Sequence, residues 1–178
     1  MSGAFPISTA AFRVATIKSN QKTLISKSAS GKKFSRQLDG QKFGFTADII
    51  TGKRSDIYGS LMAFIMKQRS GKENFTIIPP DVQSTKGTEN GTVRVNGSHT
   101  AGDTTIAMDG FAGDGAGRFK AGDLITFAGQ TKVYMVVEDV TSSSNASTVT
   151  IEPPLISNVS DDAIVTYNNI NFTVHLTN

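Results

Sequence analysis

The chain has 178 residues, enough for one domain or two small ones with a buried core. It contains no cysteine, so disulfide frameworks and thiolate chemistry are excluded and assembly in a reducing cytoplasm is expected. No apolar run approaches the ~18 residues of a membrane span, and the N-terminus lacks the continuous apolar core of a signal peptide. We therefore expect no membrane association and no secretion through a signal peptide.

Charge is distributed unevenly along the sequence. Residues 1–80 contain 13 Lys and Arg against 4 Asp and Glu, a net +9, and residues 81–178 contain 5 against 11, a net −6. These sum to the formal net charge of +3. Two modules with different surfaces explain the asymmetry. The alternative is that copies of the chain, or partners, meet basic face to acidic face.

In chain order, residues 1–21 lack a regular pattern and predict an extended N-terminal arm. Strands are predicted over Lys22–Ala29, Phe34–Leu38 and Gln41–Ile50, with a turn over Ser30–Lys33. Asp39-Gly40 is a strong hairpin-turn signal, so we expect the second and third of these strands to pair. Alternating residues of the third strand should form a half-buried face: Phe43, Phe45, Ala47 and Ile49.

One helix is predicted after Thr51-Gly52, with Ser55 as N-cap and Asp56 in the first turn. Gly71 is expected at its C′ position. The apolar stripe expected to pack on the sheet is Ile57, Leu61, Phe64 and Ile65. Met62 and Met66 lie off this stripe and are candidates for contact with a neighbouring subunit.

After a strand over Glu73–Ile78, the polar residues 81–90 coincide with the charge switch and predict a module boundary. The second module is most regular over Arg118–Leu155. Alternating apolar runs and turn residues there predict hairpins in series. Its strands are predicted over Leu124–Phe127, Lys132–Val140 and Ser147–Glu152. A last strand is predicted over Ile170–Leu176.

No motif indicates catalysis, a cofactor or a metal. The Gly-rich loop Asp109–Gly117 fits neither a calcium loop nor a phosphate loop. His99 lies in a polar turn and His175 should face outward, without further ligands near them. The two carboxylates in each of the pairs Glu138-Asp139 and Asp161-Asp162 should point to opposite faces and carry surface charge. Asp123 is expected to carry turn and surface charge. The sequence leaves open only a Ser-His-Asp triad formed by residues that are distant along the chain. Because no motif indicates catalysis, we expect that the protein is not an enzyme.

Two binding functions are alternatives to a structural role. Basic and aromatic residues interleave from Lys32 to Phe45, which is compatible with nucleic-acid binding, but alternation separates Lys42 from Phe43 and Phe45, and the second module is acidic. We therefore expect no stable nucleic-acid binding. Carbohydrate binding, for example to host-surface glycans, needs exposed aromatic platforms. The candidates outside the expected core are Phe111, Tyr134 and Tyr167.

Several motifs occur in an order that resembles a family of small tail proteins of tailed bacteriophages. The resemblance covers roughly residues 40–176. Its first matching motif is a basic residue that opens a helix with an Ala-Phe pair. The matching residues are Arg54, Ala63-Phe64, Gly71, Phe75 with Pro79, Val95-Asn96-Gly97, Gly122-Asp123, Tyr134-Met135-Val136, Pro153-Pro154-Leu155 and Phe172–Leu176.

The family resembled is that of distal-tail and tail-tip structural proteins. It implies a homo-oligomeric ring, commonly a hexamer, that joins the tail tube to the hub and receptor-binding proteins of the virion and is assembled in the host cytoplasm. It also implies a mainly β fold: an antiparallel β-sandwich with one helix plus a small inserted β-barrel. The expected domains are the arm 1–21, a ring module of residues 22–82 with 163–178, and a barrel of residues 83–162. In this arrangement the last strand, Ile170–Leu176, returns to the first module beside Glu73–Ile78.

Overall fold

A computed structural model describes residues 3–6, 12–38, 40–50 and 52–177. The fold is mainly β, with antiparallel sheets and, among these residues, one α-helix, as the sequence predicts. The chain divides into two compact units, Ala10–Thr51 and Met1–Thr9 with Gly52–Asn178. The described elements in chain order are β1 Phe12–Asn20, β2 Thr23–Lys27, β3 Lys33–Gln37, β4 Lys42–Ile49, α1 Gly59–Lys67, β5 Phe75–Ile77, β6 Arg94–Val95, β7 Thr105–Asp109, β8 Gly115–Ala116, β9 Leu124–Phe127, β10 Tyr134–Val136, β11 Thr141–Ser142, β12 Ala146–Glu152, β13 Val165–Thr166 and β14 Phe172–Val174.

The smaller unit is a two-stranded antiparallel ribbon. β1 pairs with β4 and, further out, β2 pairs with β3. The chain reverses over residues 28–32, where the Ser28 N–H donates to the Lys32 carbonyl at 2.9 Å and the Ser28 hydroxyl accepts from the Lys32 N–H at 3.2 Å. We call the four strands β1, β2, β3 and β4 together the ribbon. Its tip consists of β2, β3 and the turn between them.

The hairpin predicted at Asp39-Gly40 is wrong, because β3 and β4 do not pair with each other. The Leu38 N–H donates to the Lys22 carbonyl at 2.9 Å. The chain just before the predicted turn is therefore still paired with the residues that precede β2. Gly40, at φ +96°, lies at a break between two pairings and not at a reversal. Asp39 itself lies outside the described residues.

The helix begins later than the sequence predicts. A π-helical turn over Arg54–Tyr58 precedes α1, and Asp56 within it has non-helical angles (φ −100°, ψ −133°). Ser55 is therefore not the N-cap, and its hydroxyl reaches only the Asp56 carboxylate at 3.4 Å. On α1, Leu61 and Phe64 are buried as predicted.

A small sheet packs beside these buried helix residues. β14 pairs with β5, which confirms that the last strand returns to residues 73–78. Residues 3–5 add to the other edge of β5, since the Phe5 N–H donates to the Thr76 carbonyl at 2.8 Å. The Phe5 ring lies 5.4 Å from that of Phe64 and 6.0 Å from that of Phe75. The predicted arm 1–21 is thus split between this sheet and β1.

The rest of the larger unit is a six-stranded, nearly closed barrel with strand order β13-β9-β10-β12-β7-β6. The ends of the sheet meet where the Val95 N–H donates to the Ala163 carbonyl and the Val165 N–H to the Val93 carbonyl, both at 3.0 Å. The series β9, β10 and β12 is the meander predicted from the sequence. Its interior holds fully buried apolar side chains, among them Ile106, Met108, Phe119, Ile125, Tyr134, Val149 and Ile151.

The predicted module boundary near residue 82 does not coincide with either compact unit. Residues 85–89 are bonded to the barrel, since the Thr88 N–H donates to the Gly117 carbonyl at 3.0 Å and the Glu89 N–H to the Arg118 carbonyl at 3.1 Å. β13, assigned to the ring module, pairs with β9 of the barrel. Polar composition suggested a solvated linker, but the backbone of Thr88 and Glu89 is bonded within the unit and Glu89 is buried.

Candidate interaction surfaces

His99 lies in a setting typical of a structural residue. His99 Nε2 accepts a hydrogen bond from the Ala107 N–H at 3.1 Å, and its Nδ1 lies 3.5 Å from an Asp103 carboxylate oxygen. His175 is exposed, as the strand pattern predicts. Among the described residues, no group of three or more His, Asp or Glu side chains is arranged to hold a metal ion. Within these ranges the geometry therefore offers no metal centre.

Asp123 was predicted to carry turn and surface charge. The turn is confirmed, because the Asp123 N–H donates to the Lys120 carbonyl at 2.9 Å, but the surface placement is wrong. Its side chain is buried and accepts from the Lys86 N–H at 2.7 Å, the Lys120 N–H at 2.8 Å and the Thr85 hydroxyl. Lys86 also donates through Nζ to the Ala121 carbonyl at 2.7 Å. The carboxylate thus fastens residues 85–86 to the start of β9.

A second buried carboxylate, Glu89, fastens the next part of this segment. Its Oε1 accepts from the N–H groups of Gly91 at 2.7 Å and Ala112 at 3.0 Å, and its Oε2 lies 3.9 Å from Arg118 Nη1. The Tyr167 hydroxyl donates to the Gly91 carbonyl at 2.5 Å. Burial, with a smaller contribution from the Glu89 charge, raises the pKa of Tyr167. These contacts account for the polar residues as structural fastenings.

The three aromatic candidates for a sugar platform are buried, which corrects their placement outside the core. Phe111 is 2% exposed, Tyr134 0% and Tyr167 8%. The Tyr134 hydroxyl donates to the Gln130 side-chain oxygen at 2.6 Å and accepts from the Ile156 N–H at 3.2 Å. Burial raises the pKa of Tyr134. A stacking platform requires an open ring face, so these residues do not provide one.

The Gly-rich loop is held by its own carboxylate. Asp114 Oδ1 accepts from the Asn145 N–H at 2.7 Å, and backbone N–H groups of Asn145 and Ser144 lower the pKa of Asp114. The same stretch contains β8, which pairs with β11. The prediction of a loop between strands is confirmed in part, because a short strand interrupts it.

Large apolar side chains are exposed on both faces of the ribbon tip. Leu24 is 58% exposed, Ile25 56% and Phe34 52%. Register places Ile25 opposite Ser35 on one face and Leu24 opposite Arg36 on the other. Lys32 Nζ lies 5.4 Å from the centre of the Phe34 ring, a cation–π contact. A two-stranded ribbon has no interior, so both faces of the tip remain available.

The paired strands β1 and β4 have one apolar face. β4 presents its predicted face, and the β1 residue opposite Phe45 is Ile17. Phe12 contributes to this face, with its ring 6.1 Å from that of Phe45. These residues are half-buried, whereas Lys42, Thr46 and Asp48 on the opposite face of β4 are exposed. Strand periodicity predicted this face, but not that β1 would complete it.

Exposed apolar residues also occur on the larger unit. On and just before α1 they are Tyr58, Met62, Ile65 and Met66, with Met66 74% exposed. On the barrel they are Val137, Ile156 and Ile164. Ile65 was predicted to be core and is 36% exposed, whereas Met62 and Met66 lie outside the core as predicted.

The outer face of β10 and β12 combines one of these apolar residues with two carboxylates. Met135 pairs with Glu152, and the Val137 N–H donates to the Thr150 carbonyl at 3.1 Å. Glu138 and Glu152 are exposed, and the Thr150 hydroxyl donates to Glu138 at 3.4 Å. We call Val137, Glu138 and Glu152 the barrel patch.

The comparisons add no family to this description. The sequence matches no protein-family model, and it matches no curated protein. Within the described ranges, no helix is long and apolar enough to cross a membrane. The surfaces that remain to be explained are therefore the ribbon and the exposed apolar residues of the larger unit.

Proposed function

We propose that this protein is a structural protein of a tailed-bacteriophage virion, which assembles as a ring-shaped adaptor between the tail tube and the tail tip. The order of the tail-protein motifs along residues 40–176 supports this function. The observation that carries it is the ribbon, a unit with exposed apolar residues and, among its described side chains, no buried apolar residue.

The ribbon gains stability when a neighbour covers it. Leu24, Ile25 and Phe34 are each more than half exposed. Burying the exposed parts of three such side chains contributes roughly 2–4 kcal/mol. Its strands form two-stranded sheets within the described residues, so their outer edges are free to accept another strand. In a protein built for assembly, such edges are binding surfaces.

A ribbon of one copy that binds a different surface of the next copy makes a heterologous contact. Repetition of such a contact closes into a ring when its rotation divides a full turn. The resemblance implies six subunits and docking of tail-tube, hub and receptor-binding proteins on the ring. The function is geometric and requires no catalytic residue.

The test is the assembly state of the full chain at micromolar concentration, measured by light scattering and negative-stain microscopy. The expected result is a ring whose mass is a multiple of 18.9 kDa. A strictly monomeric species, even after mixing with tail-tube protein, contradicts the proposal.

A variant pair links the assembly to the ribbon. We expect Leu24→Ser with Phe34→Ser to weaken assembly while leaving the thermal unfolding of the barrel unchanged. Ile156→Ser is the matched control, because Ile156 is 62% exposed on the barrel and not on the ribbon. Equal loss of assembly in both variants would dissociate the function from the ribbon.

A further inference from the structure

The ribbon tip carries an unfavourable pair of charges. Lys27 and Lys33 lie directly opposite each other in the β2–β3 register, and both are exposed. Like charges at such positions destabilise a strand pair. Residues 10–51 contain 8 Lys and Arg against 2 Asp and Glu, a net +6. Carboxylates from a neighbour would offset this repulsion.

An apolar side chain lies on the same face as this pair. Ile25 is 56% exposed and lies two residues before Lys27 on β2, so both point to one side of the ribbon. We call Ile25, Lys27 and Lys33 the tip patch. It offers one aliphatic group beside two ammonium groups.

The barrel patch has the complementary composition. Val137 is 39% exposed beside the exposed carboxylates Glu138 and Glu152. In the part of the chain that the structure describes, neither glutamate forms a salt bridge, whereas the neighbouring Asp139 accepts from Lys120 at 2.7 Å. Residues 83–178 contain 5 Lys and Arg against 10 Asp and Glu, a net −5.

We propose that the tip patch of one copy docks on the barrel patch of a second copy, with the lysines beside the glutamates and Ile25 against Val137. This rests on the proposed function, because it specifies the heterologous contact that such a ring requires. The contact joins two different patches of the same chain, so each copy has one of each to offer.

Charge favours this partner over the other surfaces. Two ribbons side by side would repel each other, because each carries a net charge of +6. The exposed stripe at α1 is flanked by Arg54, Lys67 and Arg69, which repel a basic tip. A nucleic acid would meet the ribbon favourably, but the barrel at −5 would oppose its approach. The barrel patch combines negative charge with an exposed apolar group.

The test uses two charge-reversed variants of the full chain. The ribbon variant carries Lys27→Glu and Lys33→Glu, and the barrel variant carries Glu138→Lys and Glu152→Lys. We expect each alone to raise the dissociation constant of assembly at least about tenfold in sedimentation velocity, since each places like charges across the contact. Unchanged circular dichroism and melting temperatures show that both variants fold.

Mixing the two variants separates contact between copies from contact within one chain. In a 1:1 mixture every contact between unlike copies joins opposite charges, so we expect assembly to return with alternating subunits. Within a single variant chain both patches have the same sign, so docking inside one chain cannot be restored by mixing. Failure of the mixture to assemble overturns the proposal.

A matched pair of neutralised variants tests position against net charge. Glu138→Gln with Glu152→Gln and Asp161→Asn with Asp162→Asn each remove two exposed carboxylates from the barrel. We expect only the first to weaken assembly. Equal effects of the two pairs would show that the barrel's overall charge, and not the barrel patch, controls assembly.

The remaining outcomes assign failure to one proposal or to both. A monomeric wild type contradicts the ring and this contact together. A ring unaffected by the charge-reversed variants contradicts only the contact. Salt-dependent binding of a fluorescent DNA duplex that is lost in the ribbon variant, with assembly unchanged, would assign the tip patch to nucleic acid and overturn docking on a second copy.

Discussion

Replacing Asp123 by alanine should release residues 85–86 from the barrel. The buried carboxylate accepts two backbone N–H groups, from Lys86 at 2.7 Å and Lys120 at 2.8 Å, and the Thr85 hydroxyl. Hydrogen bonds to a charged group contribute about 1.5–3 kcal/mol each, but Lys86 is exposed and water partly replaces its partner. We therefore expect a loss of about 3 kcal/mol.

The measurement is urea and thermal unfolding, both monitored by circular dichroism, combined with limited trypsin digestion. In a domain of this size a loss of ~3 kcal/mol lowers Tm by about 6–12 °C. Trypsin cleaves after lysine, so we also expect faster cleavage after Lys86, because this bond is held against the barrel in the native chain. Asp123→Asn keeps one acceptor oxygen and should lose about 1–2 kcal/mol.

The control is Asp139→Ala, which removes an exposed carboxylate that also accepts from the Lys120 side chain. We expect a smaller change in stability and unchanged cleavage after Lys86. A loss below about 1 kcal/mol for Asp123→Ala, less than one hydrogen bond to a charged group, would refute the reasoning. So would equal cleavage after Lys86 in Asp123→Ala and the wild type.

Three further predictions concern packing, a buried hydroxyl and pH. Gly87→Ala should cost about 3 kcal/mol in denaturant unfolding, since its Cβ would lie 2.0 Å from the Arg118 carbonyl oxygen. Gly129→Ala, with φ +82° and open space, should cost about 1–2 kcal/mol; the reverse ranking would contradict the packing argument. Tyr134→Phe should lower the free energy of unfolding by about 1–2 kcal/mol at neutral pH, because it removes a buried hydroxyl that makes two hydrogen bonds. An unchanged free energy of unfolding would contradict this prediction. The pKa of Asp114 is lowered from its ordinary 3.8, so its contribution to stability is complete above that pH and is lost as pH falls through the folded pKa. Urea unfolding at pH 6 and at pH 2 should therefore show Asp114→Asn less stable than the wild type only at the higher pH.

The meander of β9, β10 and β12 was predictable because its information is local. The apolar run Leu124–Phe127 became β9 with the predicted bounds, and the Ser-rich turn led into β12. Adjacent strands joined by short turns pair with each other, so periodicity and turn residues were enough. The return of β14 to β5 was also predicted, but only through the family resemblance.

The ribbon shows where local signals fail. Asp39-Gly40 is a strong turn motif, yet the chain reverses over residues 28–32, at the other predicted turn, and β4 pairs with β1. Both arrangements satisfy the same alternation along β4. The pairing between distant strands depends on which backbone edges meet, and a one-dimensional pattern carries no information on that.

Within the candidate surfaces, sequence identified the charge asymmetry and the exposed methionines of the helix, but not the two patches. Ile25, Lys27 and Lys33 come from two strands whose register sets their common face. Val137, Glu138 and Glu152 come together only because β10 pairs with β12. Such patches depend on side chains far apart in the chain, so composition predicts their sign but not their position.

The sequence by itself determined that this chain is mainly β with one helix, that it has no thiol chemistry, and that its charge is polarised. These properties follow from composition and from periodicities of a few residues. Tertiary structure alone decided that Asp123 and Glu89 are buried, because polar residues can be enclosed when a fold supplies their partners. It also decided that Phe111, Tyr134 and Tyr167 are core, since closure of the barrel encloses them.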